Sequence, residues 1–171
     1  MKKNIKIALT GFMGVGKSSV SRHLSQILRS PRVDLDHFIE KHEGRRVAEI
    51  IDTDGLEYFR RIESAFLSRF LNESRAAILS LGGGTFTVPE NRKLLKEHGF
   101  TSVWLESSFE HCWLNISFSR KDRPLARDKQ TARKLFDERQ KVYCLADWHF
   151  IVRPGHSSFE VARSIADEIF S

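Results

Sequence analysis

GFMGVGKS, Gly11 to Ser18, is the stretch on which the reading of this chain turns. It satisfies every position of the pattern G-x-x-x-x-G-K-[ST], whose glycines let backbone N–H groups wrap around phosphate oxygens. An apolar run, Ile5–Thr10, precedes it, and a helical pattern over Ser19–Leu28 follows. A helix that starts there adds its dipole to the anion site. Lys17 then suits the β- and γ-phosphates, and the Ser18 hydroxyl suits Mg²⁺. The competing reading is a chance Gly-rich turn, and the complete pattern between a strand and a helix weighs against it. The segment predicts a nucleoside triphosphate site over Gly11, Met13, Gly14, Val15, Gly16, Lys17, Ser18 and Ser19.

Outward from this loop, strand-like runs lie near Val33 and at Ala77–Leu81, Ser102–Leu105 and His149–Val152. Helix-period segments separate them. Phe59, Ile62, Phe66 and Phe70 share one helical face, and Val161, Ile165 and Ile169 share another behind Ser157-x-x-Glu160, a capping box. Ser107-x-x-Glu110 and Thr87-Val88-Pro89-Glu90 mark two more helix starts. Strands alternating with helices predict a parallel sheet covered on both faces, with binding sites beyond the carboxyl ends of the strands.

No repeat, low-complexity tract or Pro/Gly-rich linker interrupts the 171 residues, so a single α/β domain is expected. An apolar content of 40% and a charged content of 29% are those of a soluble enzyme. The net charge of +6 points to an anionic partner: nucleic acid, a membrane surface or small phosphates and carboxylates. Cys112 and Cys144 form no CxxC pair, which suits a reducing cytosol. The N-terminus begins with Lys2 and Lys3 but has no long apolar segment, and no run approaches the roughly 18 apolar residues of a membrane helix. A soluble, cytoplasmic protein is expected.

What receives the phosphate? A GTPase requires D-x-x-G and usually N-K-x-D. Asp52-Thr53-Asp54-Gly55 fits the first by letter, but Val47, Ile50 and Ile51 before it are spaced as a helix, and N-K-x-D is absent from the sequence. Asp52–Gly55 reads instead as a helix-terminating turn. PRVDLDHFIE, Pro31 to Glu40, places Asp34 and Asp36 at a strand end. On an extended segment, side chains two residues apart point the same way, roughly 7 Å from each other. That pair is either two carboxylates aimed at one site or a solvated turn capping the next helix.

FRRIE, Phe59 to Glu63, puts Arg60 and Glu63 together at i and i+3, either as a solvated face or as a binding pair. Gly82-Gly83-Gly84 follows a strand-like run and allows a close backbone approach to a ligand. The basic run 119–134 carries Arg120, Lys121, Arg123 and Arg127 among others, with no aromatic residues interleaved for base stacking. In a phosphoryl-transfer enzyme such a segment closes over the triphosphate and stabilises charge.

GFMGVGKS, DLD, FRRIE, GGG, RPL and the late Arg139, in that order over nearly the whole chain, resemble the shikimate kinase family of P-loop small-molecule kinases. The resemblance implies a three-layer αβα fold with a central parallel sheet of about five strands, like the P-loop nucleoside-monophosphate kinases, and a mobile lid. It implies a lid over roughly residues 112–128 and an acceptor-binding helical region over roughly 34–63. The implied reaction moves the γ-phosphoryl group of ATP to the 3-hydroxyl of shikimate, with Mg²⁺, in a cytoplasmic monomer without nucleic-acid or membrane partners. Lys17, Asp36 and Arg123 are the implied catalytic residues, with Asp36 taking the proton of the attacking hydroxyl. Asp34 and Ser18 serve the metal. Arg60 and Arg139 clamp the acceptor carboxylate, Gly82–Gly84 and Phe59 line its pocket, and Glu63 steadies Arg60 or a hydroxyl contact. Arg123 also touches the ATP phosphates.

Two positions depart from the family pattern. Ile116 stands where members often carry an adenine-stacking arginine, and Lys141 stands for the proline of R-x-P-x-Y. Two other functions compete with this one: a kinase for another small acid or polyol such as gluconate, and a P-loop nucleic-acid-binding protein. The histidines show no metal spacing; His37, His42 and His98 read as solvated. Cys112, Trp104 and Trp148 read as core or edge packing, and Cys144 has no visible base partner.

Overall fold

Ile7–Thr10, strand β1, is buried along its whole length, as a parallel strand covered on both faces must be. The chain is described here by a computed structural model covering residues 4–171, so the basic start at Lys2 and Lys3 lies outside the described residues. The other strands are β2 (Arg32–Asp34), β3 (Ile78–Ser80), β4 (Thr101–Glu106) and β5 (Trp148–Ile151). They form one parallel sheet in the order β2-β3-β1-β4-β5, with helices on both faces. Asp34 pairs with Ser80, and Ser80 with Leu9, so three strands end together. The loops leaving β1, β2 and β3 therefore emerge at one place.

Helix α1 (Lys17–Leu28) follows the first of these loops and packs on α8 (Ser158–Phe170). The capping box at Ser157 and Glu160 is formed in both directions. Four more helices, α2 (Leu35–Glu43), α3 (Val47–Asp54), α4 (Leu56–Glu73) and α5 (Pro89–Glu97), lead toward β4. Then come α6 (Phe109–Phe118) and α7 (Lys129–Tyr143), joined by an irregular stretch with a short 3₁₀ turn at Pro124–Ala126. The turn read at Asp52–Gly55 closes α3 at Gly55.

Three local expectations change. Asp36 is not on a strand: β2 stops at Asp34, which caps α2 by accepting the His37 N–H at 3.2 Å, and Asp36 lies in the first turn of that helix. Part of the capping reading thus holds, because the Asp34 carboxylate satisfies a helix-end donor. The cap of α6 is Ser108, one residue beyond the expected Ser107, whose hydroxyl instead donates to the Val152 carbonyl. The buried row of α4 is Phe59, Glu63, Leu67 and Phe70, with Ile62 and Phe66 only half-buried. Cys112 is core, and burial pushes its thiol up to about 11. Cys144 is exposed.

Candidate active site

The phosphate loop is shaped by its neighbours as well as by its glycines. Gly14 has φ +80, and a Cβ there would sit 2.5 Å from the Cys112 carbonyl oxygen of α6. Only glycine accepts both the left-handed backbone and that contact. Asn115 of α6 donates to the Gly14 carbonyl at 2.8 Å, closing the seam. Ile116 is buried and sits beside Gly14, so this departure from the family pattern serves the packing of the loop.

Lys17 is buried, its ammonium held by the carbonyls of Gly11 at 2.7 Å and Phe12 at 3.1 Å. Burial pushes it down to about 8, against the pull of Asp36. The Ser18 hydroxyl donates to Asp34 at 2.6 Å, so the start of α1 and the end of β2 meet at one oxygen pair.

A cavity of about 460 Å³ runs along this loop. Met13, Gly14, Val15, Gly16, Lys17, Ser18 and Ser19 line it, with Asp34, Asp36 and Arg123. Gly11 contributes its carbonyl to Lys17 instead of a wall. At its far end stand His111, Asn115, His156, Ser158 and Val161, which the sequence reading did not select. They come from α6, from the turn before α8 and, for Ser158 and Val161, from the first turn of α8 itself, and no local motif marks them as lining a site.

A second, smaller cavity of about 80 Å³ adjoins the first. Phe59, Arg60, Gly82, Gly83, Gly84 and Arg139 surround it, as does Asp36. Val47, Ala48 and Ile51 add an apolar wall from α3, and Pro124 and Leu125 another. Arg60 donates to Glu63 at 2.8 Å, and the other Glu63 oxygen accepts from the Thr85 hydroxyl at 2.9 Å. Burial pushes the Glu63 carboxyl up, with Arg60 opposing. Arg139 is buried against the Phe12 ring, and burial pushes its guanidinium down. The adjacent Tyr143 hydroxyl donates to the Gly83 carbonyl and so ties α7 to the glycine loop. Two guanidinium groups beside one small space suit a planar anion such as a carboxylate.

Asp36 lines both cavities. Burial pushes its carboxyl up, Lys121 draws it down, and Asp34 adds to the lift. Residues 119–128 arch over this region. Arg127 fastens them by bonding Asp122 at 2.9 Å and Asp52 of α3 at 2.6 Å. Of the segment expected as a lid, residues 112–118 belong to α6.

Phosphate chemistry on one side of Asp36 and a small space flanked by two arginines on the other define a P-loop kinase acting on a small molecule. Comparison with known proteins narrows the class. The family model described as shikimate kinase matches residues 13–170, and the chain belongs to that family. A shikimate kinase of Persephonella marina is 34% identical over 163 residues, covering 95% of this chain and 98% of its own length. The solved structure of Acinetobacter baumannii shikimate kinase in complex with shikimate superposes with a TM-score of 0.89 at 31% identity, covering 98% of this chain and 94% of that one. A Sinorhizobium meliloti gluconokinase reaches a TM-score of 0.58 at 14% identity, covering 99% and 98%, a likeness of fold alone.

Proposed function

We propose that the chain transfers the γ-phosphoryl group of ATP to the 3-hydroxyl of shikimate, giving shikimate 3-phosphate and ADP, in chorismate and aromatic amino-acid biosynthesis. The observation that carries this reading is the small cavity with Arg60 and Arg139 on its walls, open to the phosphate cavity at Asp36. The family's relative with shikimate bound supports the choice of acceptor over other small acids.

In this mechanism Arg60 and Arg139 hold the acceptor carboxylate, Glu63 fixes Arg60, and the Gly82–Gly84 backbone and Phe59 shape the rest of the pocket. Asp36 receives the proton of the attacking hydroxyl, and a carboxyl lifted by burial is the better base for that task. Lys17 and Arg123 stabilise the charge on the transferring group. Most of the catalysis is positioning.

The Ser18 hydroxyl and the Asp34 carboxylate, hydrogen-bonded to each other beside the phosphate loop, fit Mg²⁺. That ion takes hard oxygen donors and completes its shell with water and substrate phosphates, so two protein oxygens suffice. When bound it neutralises charge on the donor phosphates. The mobile lid is assigned to roughly 112–128 and the acceptor-binding region to roughly 34–63, within a cytoplasmic monomer. No helix among the described residues is long and apolar enough to cross a membrane.

A coupled ADP-release assay with Mg²⁺-ATP tests the reading, run with shikimate, with gluconate and with no acceptor, beside Asp36→Asn. Turnover that requires shikimate and falls at least about 100-fold in the variant is expected. Turnover indifferent to shikimate would refute the acceptor assignment.

A further inference from the structure

The donor and acceptor cavities share only Met13, Asp36, Gly82, Gly83, Lys121 and Arg123 among their lining residues. Donor and acceptor meet there, so the charged side chains in this set face the bond that is made. Asp36 and Arg123 already have roles in that reaction. Lys121 has none, and in the sequence it is hidden in a basic run.

We propose that Lys121 is a further catalytic residue, which donates to the oxygens of the phosphoryl group as that group passes between donor and acceptor. The proposal rests on the kinase reading above.

Its geometry is specific. The Lys121 ammonium approaches Asp36 Oδ2 at 3.7 Å, close enough to feel its charge and too far for a hydrogen bond. Among the described residues Asp36 is its one partner and no acceptor lies within hydrogen-bond reach, so its three donors can turn to a ligand. Arg123 braces it from behind by donating to the Lys121 carbonyl at 3.3 Å, so the two cations are held as one turn of chain. The phosphoryl group carries the oxygens that such a pair fits, and an ammonium beside Asp36 meets them only where the acceptor hydroxyl attacks.

In the step, the acceptor oxygen bonds to the γ-phosphorus as the bond to the β–γ bridging oxygen breaks. The electron pair of that bond leaves with ADP, and the hydroxyl proton goes to Asp36. Lys121 forms no covalent bond and keeps its proton throughout.

The test compares Lys121→Met, Lys121→Arg and Arg120→Met with the parent in shikimate-dependent ADP release. Arg120 is the exposed neighbour, and its replacement removes the same charge from the same segment. Lys121→Met should lower kcat about tenfold or more, with the KM values for ATP and shikimate within about twofold, the pattern of a contact made in the transition state. Lys121→Arg should recover most of kcat, and Arg120→Met should stay within about twofold of the parent.

Equal losses in Lys121→Met and Arg120→Met would reduce the effect to general charge and overturn the proposal. A lower KM for shikimate with unchanged kcat would overturn it too, by making the Asp36 contact a latch that substrate displaces. A parent without shikimate-dependent turnover would instead refute the acceptor reading itself, and the placement of Lys121 with it.

Discussion

Gly84→Ala separates binding from folding at this site. Gly84 has φ −107, an ordinary value for alanine, so the backbone bears no strain. The added Cβ, however, would overlap the Arg60 guanidinium, 2.7 Å from Nη1 and nearer still to Cζ and Nη2. The obstacle is the tip of a long side chain, 22% exposed and held by Glu63, so Arg60 swings aside at the expense of that bond and the core stays packed. The stability loss is then the weakened Arg60–Glu63 pair, about 1–2 kcal/mol, because Glu63 keeps Thr85 as a partner. In a chain of this size that lowers Tm by about 2–8 °C. Binding loses a charge-assisted contact to the acceptor carboxylate, about 1.5–3 kcal/mol, which raises the shikimate KM roughly 10- to 150-fold. Steady-state kinetics with each substrate varied, beside urea unfolding, measure both effects, and the ATP KM should not move. A stable variant whose shikimate KM stays within about twofold of the parent would refute the role given to Arg60.

Other perturbations test separate parts of the site. Asp34→Asn should raise the Mg²⁺ concentration for half-maximal ADP release at least about tenfold, and an unchanged metal titration would remove Asp34 from the metal site. Lys17, held at about 8, loses its charge as pH rises through that value, so ATP affinity measured by calorimetry should fall on the alkaline side, toward tenfold per unit. For folding the sign is opposite: between about 8 and 10.5 the unfolded chain holds this proton and the native state does not, so Lys17 adds stability as pH climbs through that window. Affinity that stays flat to about pH 9 would contradict the charge assigned to it. Tyr143→Phe leaves the Gly83 carbonyl without its donor and should cost about 1–2 kcal/mol in urea unfolding, with a raised shikimate KM; an unchanged midpoint and KM would show that the bond is dispensable.

The phosphate loop could be read from the chain because its chemistry is local: eight consecutive residues, Gly11 to Ser18, supply the glycines, the cation and the hydroxyl. Strands β1, β3 and β4 were legible for a related reason, since burial on both faces makes them short apolar runs, whereas the edge strands β2 and β5 are half-buried or exposed. Glu63 shows the limit. An apolar periodicity count passes over a carboxylate, yet Glu63 occupies the innermost row of α4, because Arg60 one turn away and Thr85 on another element satisfy it. For Asp36 the expected strand geometry was wrong, because nothing in DLD marks the point where the strand yields to the helix. Lys121 was invisible for the opposite reason: within a run of like charges, only the path of residues 119–128 singles out the cation that faces Asp36.

The seam between Gly14 and the Cys112 carbonyl has a mechanical consequence. Helix α6 rests on the phosphate loop at that point, and residues 119–128 hang from its far end. The loop is thus a fulcrum and α6 a lever arm. A nucleotide that shifts the turn at Gly14 by a fraction of an ångström must move α6 or lose that contact, and movement of α6 carries the segment holding Lys121 and Arg123. Any such shift would reach those two cations through a contact that no side chain larger than hydrogen could preserve.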